Sequence, residues 1–266
     1  MPKKIDAKLI DDSPDYYDLP QKINNNGILY EARLHEKLKG YGLVPKGFEP
    51  AASDSNAPDI QFKWKNNSYN MEVKLNKAAD FGQSGLIWHG NATTGKWILH
   101  GDKGPSHVAM RERLKSMDIL KFVNGTEGWD TKNLGMPRRF KPLTIKNGPT
   151  AEDKRHDYLT FKDKTIPIPI SAVKDFYKSK NIFYIHIGGL GTYHLGGDPA
   201  KMVWFTKMPE LTGECKLRIR KKPVGSVSGG STNYRFSLAL LLKKAPNQSE
   251  FDITDDANIE ILTSNQ

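Results

Sequence analysis

Two short segments in which apolar and polar residues alternate place the strongest constraint on the fold of this chain. Residues 60–64 and 69–75 each alternate in the way that a strand does when one of its faces is buried. The residues between them, 65–68, are all polar and are typical of a turn. The pattern therefore predicts an antiparallel β-hairpin.

The register of this predicted hairpin brings two carboxylates and an amine together. Glu72 and Lys74 share one face of their strand, because side chains alternate between the two faces. If the turn is centred on residues 66–67, counting outward places Asp59 opposite Lys74. Asp59 and Glu72 are then diagonal neighbours, within reach of a shared cation.

Such a cluster is suited to phosphodiester hydrolysis. Two carboxylates bind a hard divalent ion such as Mg²⁺, which keeps part of its water shell and accepts phosphate oxygens. The ion lowers the pKa of a bound water and stabilises charge on the phosphate, while Lys74 orients the attacking water or sheds part of its charge. The carbonyl of Val73, between Glu72 and Lys74, offers one more oxygen ligand.

A third carboxylate is expected from a helix upstream of the hairpin. A rough apolar stripe predicts this helix from Ile28 to about Gly40. It carries two candidate ligands, Glu31 and Glu36, whose spacing of five residues keeps them from fully sharing a face. Glu31 is preferred because it comes early and lies beside Ala32 near the stripe, and Glu36 stays the alternative.

Length and composition fit a globular protein. The chain has 266 residues, of which 37% are hydrophobic and 26% charged, and it contains no repeat or low-complexity tract. Strand patterns at residues 182–187 and 234–242, a helical pattern over residues 108–120 and a short helix capped by Ser171 predict a mixed α/β fold with a central sheet. The glycine-rich residues 82–104 are expected to form loops around short strands, and His186 is expected to flank a glycine turn between strands. We expect a single domain over 1–266, with a catalytic core at about 27–125 and a C-terminal part at about 170–245 that completes the sheet and the DNA-binding face.

Three features bear on the cellular setting. The single cysteine, Cys215, excludes an internal disulfide framework and a Cys-rich zinc site. The N-terminus has no apolar segment of the kind found in signal peptides, and no apolar run approaches membrane-spanning length. We therefore expect a cytoplasmic protein without a membrane partner.

The positive charge of the chain is concentrated in patches. The net charge of +10 is typical of a protein that binds a polyanion and equally of one whose charge serves solubility. Cations cluster at residues 138–141 and 216–222, whereas residues 249–260 are acidic. Charge that is segregated in this way favours a binding face over a role in solubility alone.

Individual nucleic-acid contacts follow from residue types and spacing. Alternate positions on the strand that begins near Lys216 carry cations, which indicates phosphate contacts, although a solvated edge strand is the alternative. Asn233 and Arg235 share a strand face and are residue types that read bases in the major groove. The candidate DNA-binding residues are Gln83, Arg138, Arg139, Lys216, Arg218, Arg220, Asn233 and Arg235.

The motif itself resembles a known superfamily. Pro58-Asp59, twelve further residues and then Glu72-Val73-Lys74 resemble the PD-(D/E)xK nucleases, in which an upstream helix often donates a further Glu. The resemblance covers about residues 27–90, and residues 229–236 are similar to a late strand of some type II restriction endonucleases. It implies a restriction-endonuclease-like α/β fold, a mixed central β-sheet flanked by helices. It also implies metal binding by Asp59 and Glu72, water activation by Lys74 and an accessory ligand at Glu31.

The sequence therefore leads to one function and two alternatives. The expected function is a type II restriction-like endonuclease that cuts double-stranded DNA with Mg²⁺, for which Mn²⁺ substitutes, and leaves a 5′-phosphate; a homodimer is compatible with it. The first alternative is a structure-selective nuclease of the same superfamily that acts in repair, recombination or phage DNA processing. The second is a non-catalytic DNA-binding protein in which the hairpin is only a scaffold.

Overall fold

A computed structural model describes most of the chain. It covers residues 26–50, 57–99, 112, 115, 119–125, 134–140, 149–162, 165–167, 176–208, 213–221, 234–242 and 247–266. Its helices are α1 (Asn26–Gly40), α2 (Ile119–Asn124), α3 (Ala151–Phe161) and α4 (Asp256–Ser264), with a 3-10 turn at Arg138–Phe140. None of the helices in these ranges has both the length and the apolar character that crossing a bilayer requires.

The strands of the described ranges form two five-stranded sheets. The strands are β1 (Ile60–Trp64), β2 (Asn67–Lys74), β3 (Gly82–His89), β4 (Lys96–Leu99), β5 (Thr165–Pro167), β6 (Ile182–Ile187), β7 (Gly191–His194), β8 (Thr206–Lys207), β9 (Gly213–Lys221) and β10 (Tyr234–Leu242). The first sheet has the order β1-β2-β6-β7-β8 and is mixed, since β2 pairs antiparallel with β1 and parallel with β6. The second sheet has the order β4-β3-β10-β9-β5 and is antiparallel. The predicted mixed α/β class is confirmed.

The first sheet separates two hydrophobic cores. On one of its faces, Leu34 and Leu38 of α1 pack in a common cluster with Val73 of β2. On the other face, Ile185 of β6 packs in a cluster with Phe236 of the second sheet. Successive residues of β2 therefore point in turn toward α1 and toward the second sheet.

Helix α1 confirms the helix predicted upstream of the hairpin and begins two residues earlier than expected. It ends in a Schellman motif, in which Gly42 N–H bonds to Lys39 O and Leu43 N–H to Leu38 O, each at 2.9 Å. Gly42 has a φ of 72°, a left-handed conformation that glycine adopts without strain. This end turns the chain back toward β1, where Lys63 N–H bonds to Leu43 O.

The hairpin forms with a tighter turn than the sequence predicted. β2 begins at Asn67, so only Lys65 and Asn66 make the turn, and Trp64 pairs with Asn67. Lys65 takes a φ of 51°, which allows the chain to reverse within two residues. The prediction of a four-residue turn over residues 65–68 is therefore wrong.

The tighter turn shifts the register but preserves the faces. Ile60 pairs with Met71, and continuing this register by one position places Asp59 opposite Glu72, where the sequence predicted Lys74. The partner of each β1 residue moves by two positions, which is one full side-chain period of a strand. Asp59, Glu72 and Lys74 therefore stay on one face, as predicted.

Other predictions of secondary structure differ in outcome. Strands at residues 182–187 and 234–242 are confirmed, whereas the glycine-rich segment predicted as loops with short strands contains the eight-residue β3. Helix α3 was not predicted, although Thr150 and Asp153 form a capping box at its start. The predicted helix over residues 108–120 and the predicted cap at Ser171 lie mostly or wholly outside the described residues, and residues 176–179 are helical.

Candidate active site

The first element of the site is a carboxylate held against the backbone of β2. Asp59, directly before β1, accepts a hydrogen bond from the backbone N–H of Val73 at 2.8 Å. The N–H and C=O of one strand residue point to the same edge, so the Val73 carbonyl also faces the Asp59 side of β2. The side chain of Val73 lies in the core beneath α1, so this residue offers the site its backbone alone.

The second element is a buried carboxylate with a lysine on each oxygen. Glu72 Oε1 lies 2.6 Å from Lys74 Nζ, and Glu72 Oε2 lies 3.2 Å from Lys180 Nζ. The side chains of Lys74 and Lys180 are only 12% and 5% exposed, and that of Glu72 is 6% exposed. A charged group so far from water is tolerated because it is paired on both sides.

Glu31 of α1 completes the cluster. Burial and the charge of Asp59 raise the pKa of Glu31 to about 7, while the charge of Lys74 acts in the opposite direction. Glu36 is different, because its side chain is 68% exposed and its carboxylate pairs locally with His35 at 3.2 Å and Lys39 at 3.7 Å. The structure therefore brings Glu31, and not Glu36, to the predicted site.

The carboxylates of the cluster differ in how readily they ionise. Burial and the charge of Glu72 raise the pKa of Asp59 to about 6, against the lowering effects of Lys74 and the Val73 N–H. Burial also raises the pKa of Glu72, but the charges of Lys74 and Lys180 outweigh it, and the net pKa lies below the usual range. Ionisation is therefore favoured at Glu72, whereas burial favours the protonated forms of Asp59 and Glu31.

Lys74 stays protonated in this setting. Burial lowers its pKa, but the carboxylates of Glu72, Asp59 and Glu31 together raise it above the ordinary value. An ammonium group has three donors and no acceptor. Lys74 can therefore hold a water or a phosphate oxygen, and it cannot remove a proton as a base.

The carboxylate oxygens of the cluster are ligands that a hard divalent cation prefers, but they are not arranged as they would be around a bound metal ion. Within the described residues, no three His, Cys, Asp or Glu side chains are grouped so that they could hold a metal ion together. Both oxygens of Glu72 face lysines instead of the other carboxylates. The charge of Asp59 disfavours ionisation of Glu31, and a nearby cation would relieve this repulsion, so the residues fit the ion by charge and oxygen chemistry.

A polar network anchors α1 beside the cluster. Tyr30, the neighbour of Glu31, hydrogen-bonds through its hydroxyl to His186 Nε2 at 2.7 Å, and His186 Nδ1 lies 3.1 Å from Thr192 Oγ1. Burial lowers the pKa of His186 to about 4, so the ring is neutral. Gly188 allows this close packing, because a Cβ there would lie 2.2 Å from the Leu75 carbonyl oxygen.

Lys180 in the site and His186 in the network beside it were not predicted from the sequence. The sequence places His186 only beside a glycine turn, and Lys180 is one lysine among many in this chain. Lys180 contacts Glu72, and His186 contacts Tyr30, because β6 pairs in parallel with β2, a long-range contact that no local pattern reveals. No short motif in the sequence would have identified either residue.

Some predicted DNA contacts share one face of the second sheet. Ala239 of β10 pairs with Gln83 of β3 on one side and with Lys216 of β9 on the other, and Arg218 follows Lys216 on the same face. The opposite face of β9 is buried in the core through Leu217. Strand β9 lies between β10 and β5, so the alternative of an edge strand is wrong for the residues that pair with β5.

The other predicted DNA-contact residues either form ion pairs and hydrogen bonds within the protein or have side chains outside the described part of the chain. Arg218 forms an ion pair with Asp80 at 3.0 Å. Arg138 pairs with Glu152 at 3.3 Å, and the backbone N–H groups of Arg138 and Arg139 both donate to the buried Asp157. Arg220 pairs with Arg235 in the backbone register of β9 and β10, while their side chains and all of Asn233 lie outside the described part of the chain.

Comparisons with known proteins give one structural likeness. The sequence matches no known family profile and no curated protein. A solved structure of HhaI endonuclease in complex with DNA aligns with 89% of this chain and 98% of the HhaI chain, at 16% sequence identity and a TM-score of 0.37. The function proposed below rests on the geometry and charge of the site itself.

Proposed function

We propose that this protein is a Mg²⁺-dependent endonuclease that cuts double-stranded DNA in the manner of a type II restriction enzyme. The observation that carries the proposal is the cluster of Glu31, Asp59 and Glu72 around the buried ammonium group of Lys74. Asp59, Glu72 and Lys74 on one face of the hairpin, with Glu31 of α1 close enough for its charge to interact with theirs, have the chemistry that phosphodiester hydrolysis requires.

The residues of the cluster have distinct roles in this proposal. Asp59, Glu31, Glu72 and the Val73 carbonyl would hold the metal ion, and Mn²⁺ would serve in place of Mg²⁺ because oxygen ligands suit both. Bound Mg²⁺ would polarise the scissile phosphate and lower the pKa of a water molecule. Lys74, protonated and hydrogen-bonded to Glu72, would orient that water and offset charge on the phosphate.

Charge supports DNA as the substrate. The chain carries a net charge of +10, and phosphate neutralisation supplies most non-specific affinity for DNA. Lys216 lies on the same face of the second sheet as Gln83, and Arg218 follows it in β9. We propose phosphate contacts for these cations and for Arg138, Arg139 and Arg220, and base contacts for Asn233 and Arg235.

The test is cleavage of unmodified plasmid and phage DNA with Mg²⁺ and with EDTA. Discrete fragments that require Mg²⁺ support the restriction-like activity. Cleavage confined to branched or damaged substrates would favour the structure-selective nuclease. Binding without any cleavage in Mg²⁺ or Mn²⁺ would leave only the non-catalytic DNA-binding protein.

A further inference from the structure

Lys180 is a second lysine of the site that the proposed roles do not use. It follows the helical residues 176–179 and precedes β6, and its Nζ lies 3.2 Å from Glu72 Oε2. Its side chain is 5% exposed and lies against the Phe176 ring, with Nζ 5.8 Å from the ring centroid. Substrate would not reach this group, so any effect on the reaction must pass through Glu72.

We propose that Lys180 is a positioning residue that fixes the Oε2 side of Glu72 and sets the net charge of the site. This inference rests on the nuclease function proposed above. Lys74 holds the other oxygen of Glu72, so the two lysines together fix the carboxylate plane between them. A carboxylate fixed at both oxygens presents its remaining lone pairs in one defined direction.

The charge count shows why a second lysine matters. In the fully ionised form that a bound cation selects, Glu31, Asp59 and Glu72 carry three negative charges, and Lys74 and Lys180 carry two positive ones. The site then has a net charge of −1, which attracts a divalent cation and becomes +1 once the cation is bound. A site of charge +1 complements the single negative charge of a phosphodiester.

The loss of Lys180 would make the site more negative, which has opposite effects on the binding of the cation and of the phosphodiester. The metal-free site would carry a charge of −2 and attract the cation more strongly. The metal-loaded site would be neutral and would no longer attract the phosphodiester. The removal of one unit charge this close to the ligands of a partly buried site is expected to change their affinities by on the order of a hundredfold.

The test compares Lys180→Met with the wild-type protein in two assays. Calorimetry with Mg²⁺ in the absence of DNA measures metal affinity, and single-turnover cleavage of plasmid at saturating Mg²⁺ measures the rate. We expect Mg²⁺ to bind Lys180→Met at least tenfold more tightly and the cleavage rate to fall at least tenfold. Lys178→Met, which removes the same charge from an exposed position two residues away, should match the wild type in both assays.

Folding of the variant is followed separately. Loss of Lys180 leaves one oxygen of a buried carboxylate unpaired, so we expect a lower Tm in EDTA and a larger rise in Tm with Mg²⁺ than in the wild type. If Lys180→Met does not fold, Lys180→Gln retains a hydrogen-bond donor for Oε2 without the charge. It should show the same two opposite changes, and Lys180→Arg should restore both values toward the wild type.

Separate outcomes overturn the inference and the proposed function. If Lys180→Met and Lys178→Met have the same Mg²⁺ affinity and the same cleavage rate, Lys180 has no role in the site. Weaker Mg²⁺ binding in both Lys180→Met and Lys180→Gln would also overturn the inference. In either case Mg²⁺-dependent cleavage by the wild type would leave the proposed function intact. A wild-type protein that neither binds Mg²⁺ nor cuts DNA would overturn the proposed function.

Discussion

Replacing Asp59 by Asn should stabilise the metal-free protein. Asn can keep the hydrogen bond, because its Oδ1 accepts from the Val73 N–H as the carboxylate does now. The substitution removes the negative charge that burial and Glu72 both disfavour. A proposed metal ligand is thus expected to cost stability as long as its cation is absent.

The sign and size follow from the pKa of Asp59. Its pKa rises from an ordinary value of 3.8 to about 6 in the folded protein, so folding favours the protonated acid. The cost of ionisation is absent below pH 3.8, grows between pH 3.8 and about pH 6, and is complete above that range. At about 1.4 kcal/mol for each pKa unit, Asp59→Asn should gain at most about 3 kcal/mol at pH 8 and about half of that at pH 5.

Urea unfolding in EDTA at pH 5 and pH 8 measures this difference. Glu36→Gln is the matched control, because Glu36 is exposed and its charge should affect stability little at either pH. Added Mg²⁺ should stabilise the wild type and have a smaller effect on Asp59→Asn, which has lost a ligand charge. An Asp59→Asn protein less stable than the wild type at pH 8 would refute the view that burial and the charge of Glu72 disfavour the ionised form of Asp59.

Three further predictions concern activity and binding. Glu72→Gln should abolish cleavage while DNA binding in Ca²⁺ persists, and Lys74→Met should do the same with less effect on Mg²⁺ affinity. If both variants cut at the wild-type rate in single-turnover assays, neither residue takes part in the chemistry. Glu31→Gln should raise the Mg²⁺ concentration for half-maximal cleavage, and a shift seen instead in Glu36→Gln would reassign the accessory ligand. Lys216→Ala should weaken binding to cognate and scrambled duplexes alike and lower the salt slope by about one unit, whereas an unchanged slope would exclude a phosphate contact.

That Asp59, Glu72 and Lys74 share one face was predictable, because it depends only on whether the pairing shifts by an even or an odd number of residues. The predicted turn and the predicted partner of Asp59 were wrong, but a shift of two positions leaves every side chain on its face. Local pattern also sufficed for α1 and for its carboxylate Glu31. A one-residue error in the turn would have separated Asp59 from Glu72 and Lys74.

The rest of the site depends on contacts between distant parts of the chain. Lys180 reaches the cluster only through the parallel pairing of β6 with β2, across about a hundred residues, and the same pairing brings His186 to Tyr30 beside it. Helix α3 escaped prediction because only Asp157 and Phe161 are its buried residues, so it has no apolar stripe. Periodicity detects elements that bury a regular face, and it misses those that do not.

The most direct test of the account is single-turnover cleavage of plasmid by Asp59→Asn, measured beside its stability. The stability measurement excludes loss of activity through unfolding, because this variant should be more stable than the wild type at pH 8. We expect a protein that is folded, stabilised and able to bind DNA in Ca²⁺, and that does not cut at any Mg²⁺ concentration. Cleavage by Asp59→Asn at the wild-type rate would contradict the assignment of the active site to Asp59, Glu72 and Lys74.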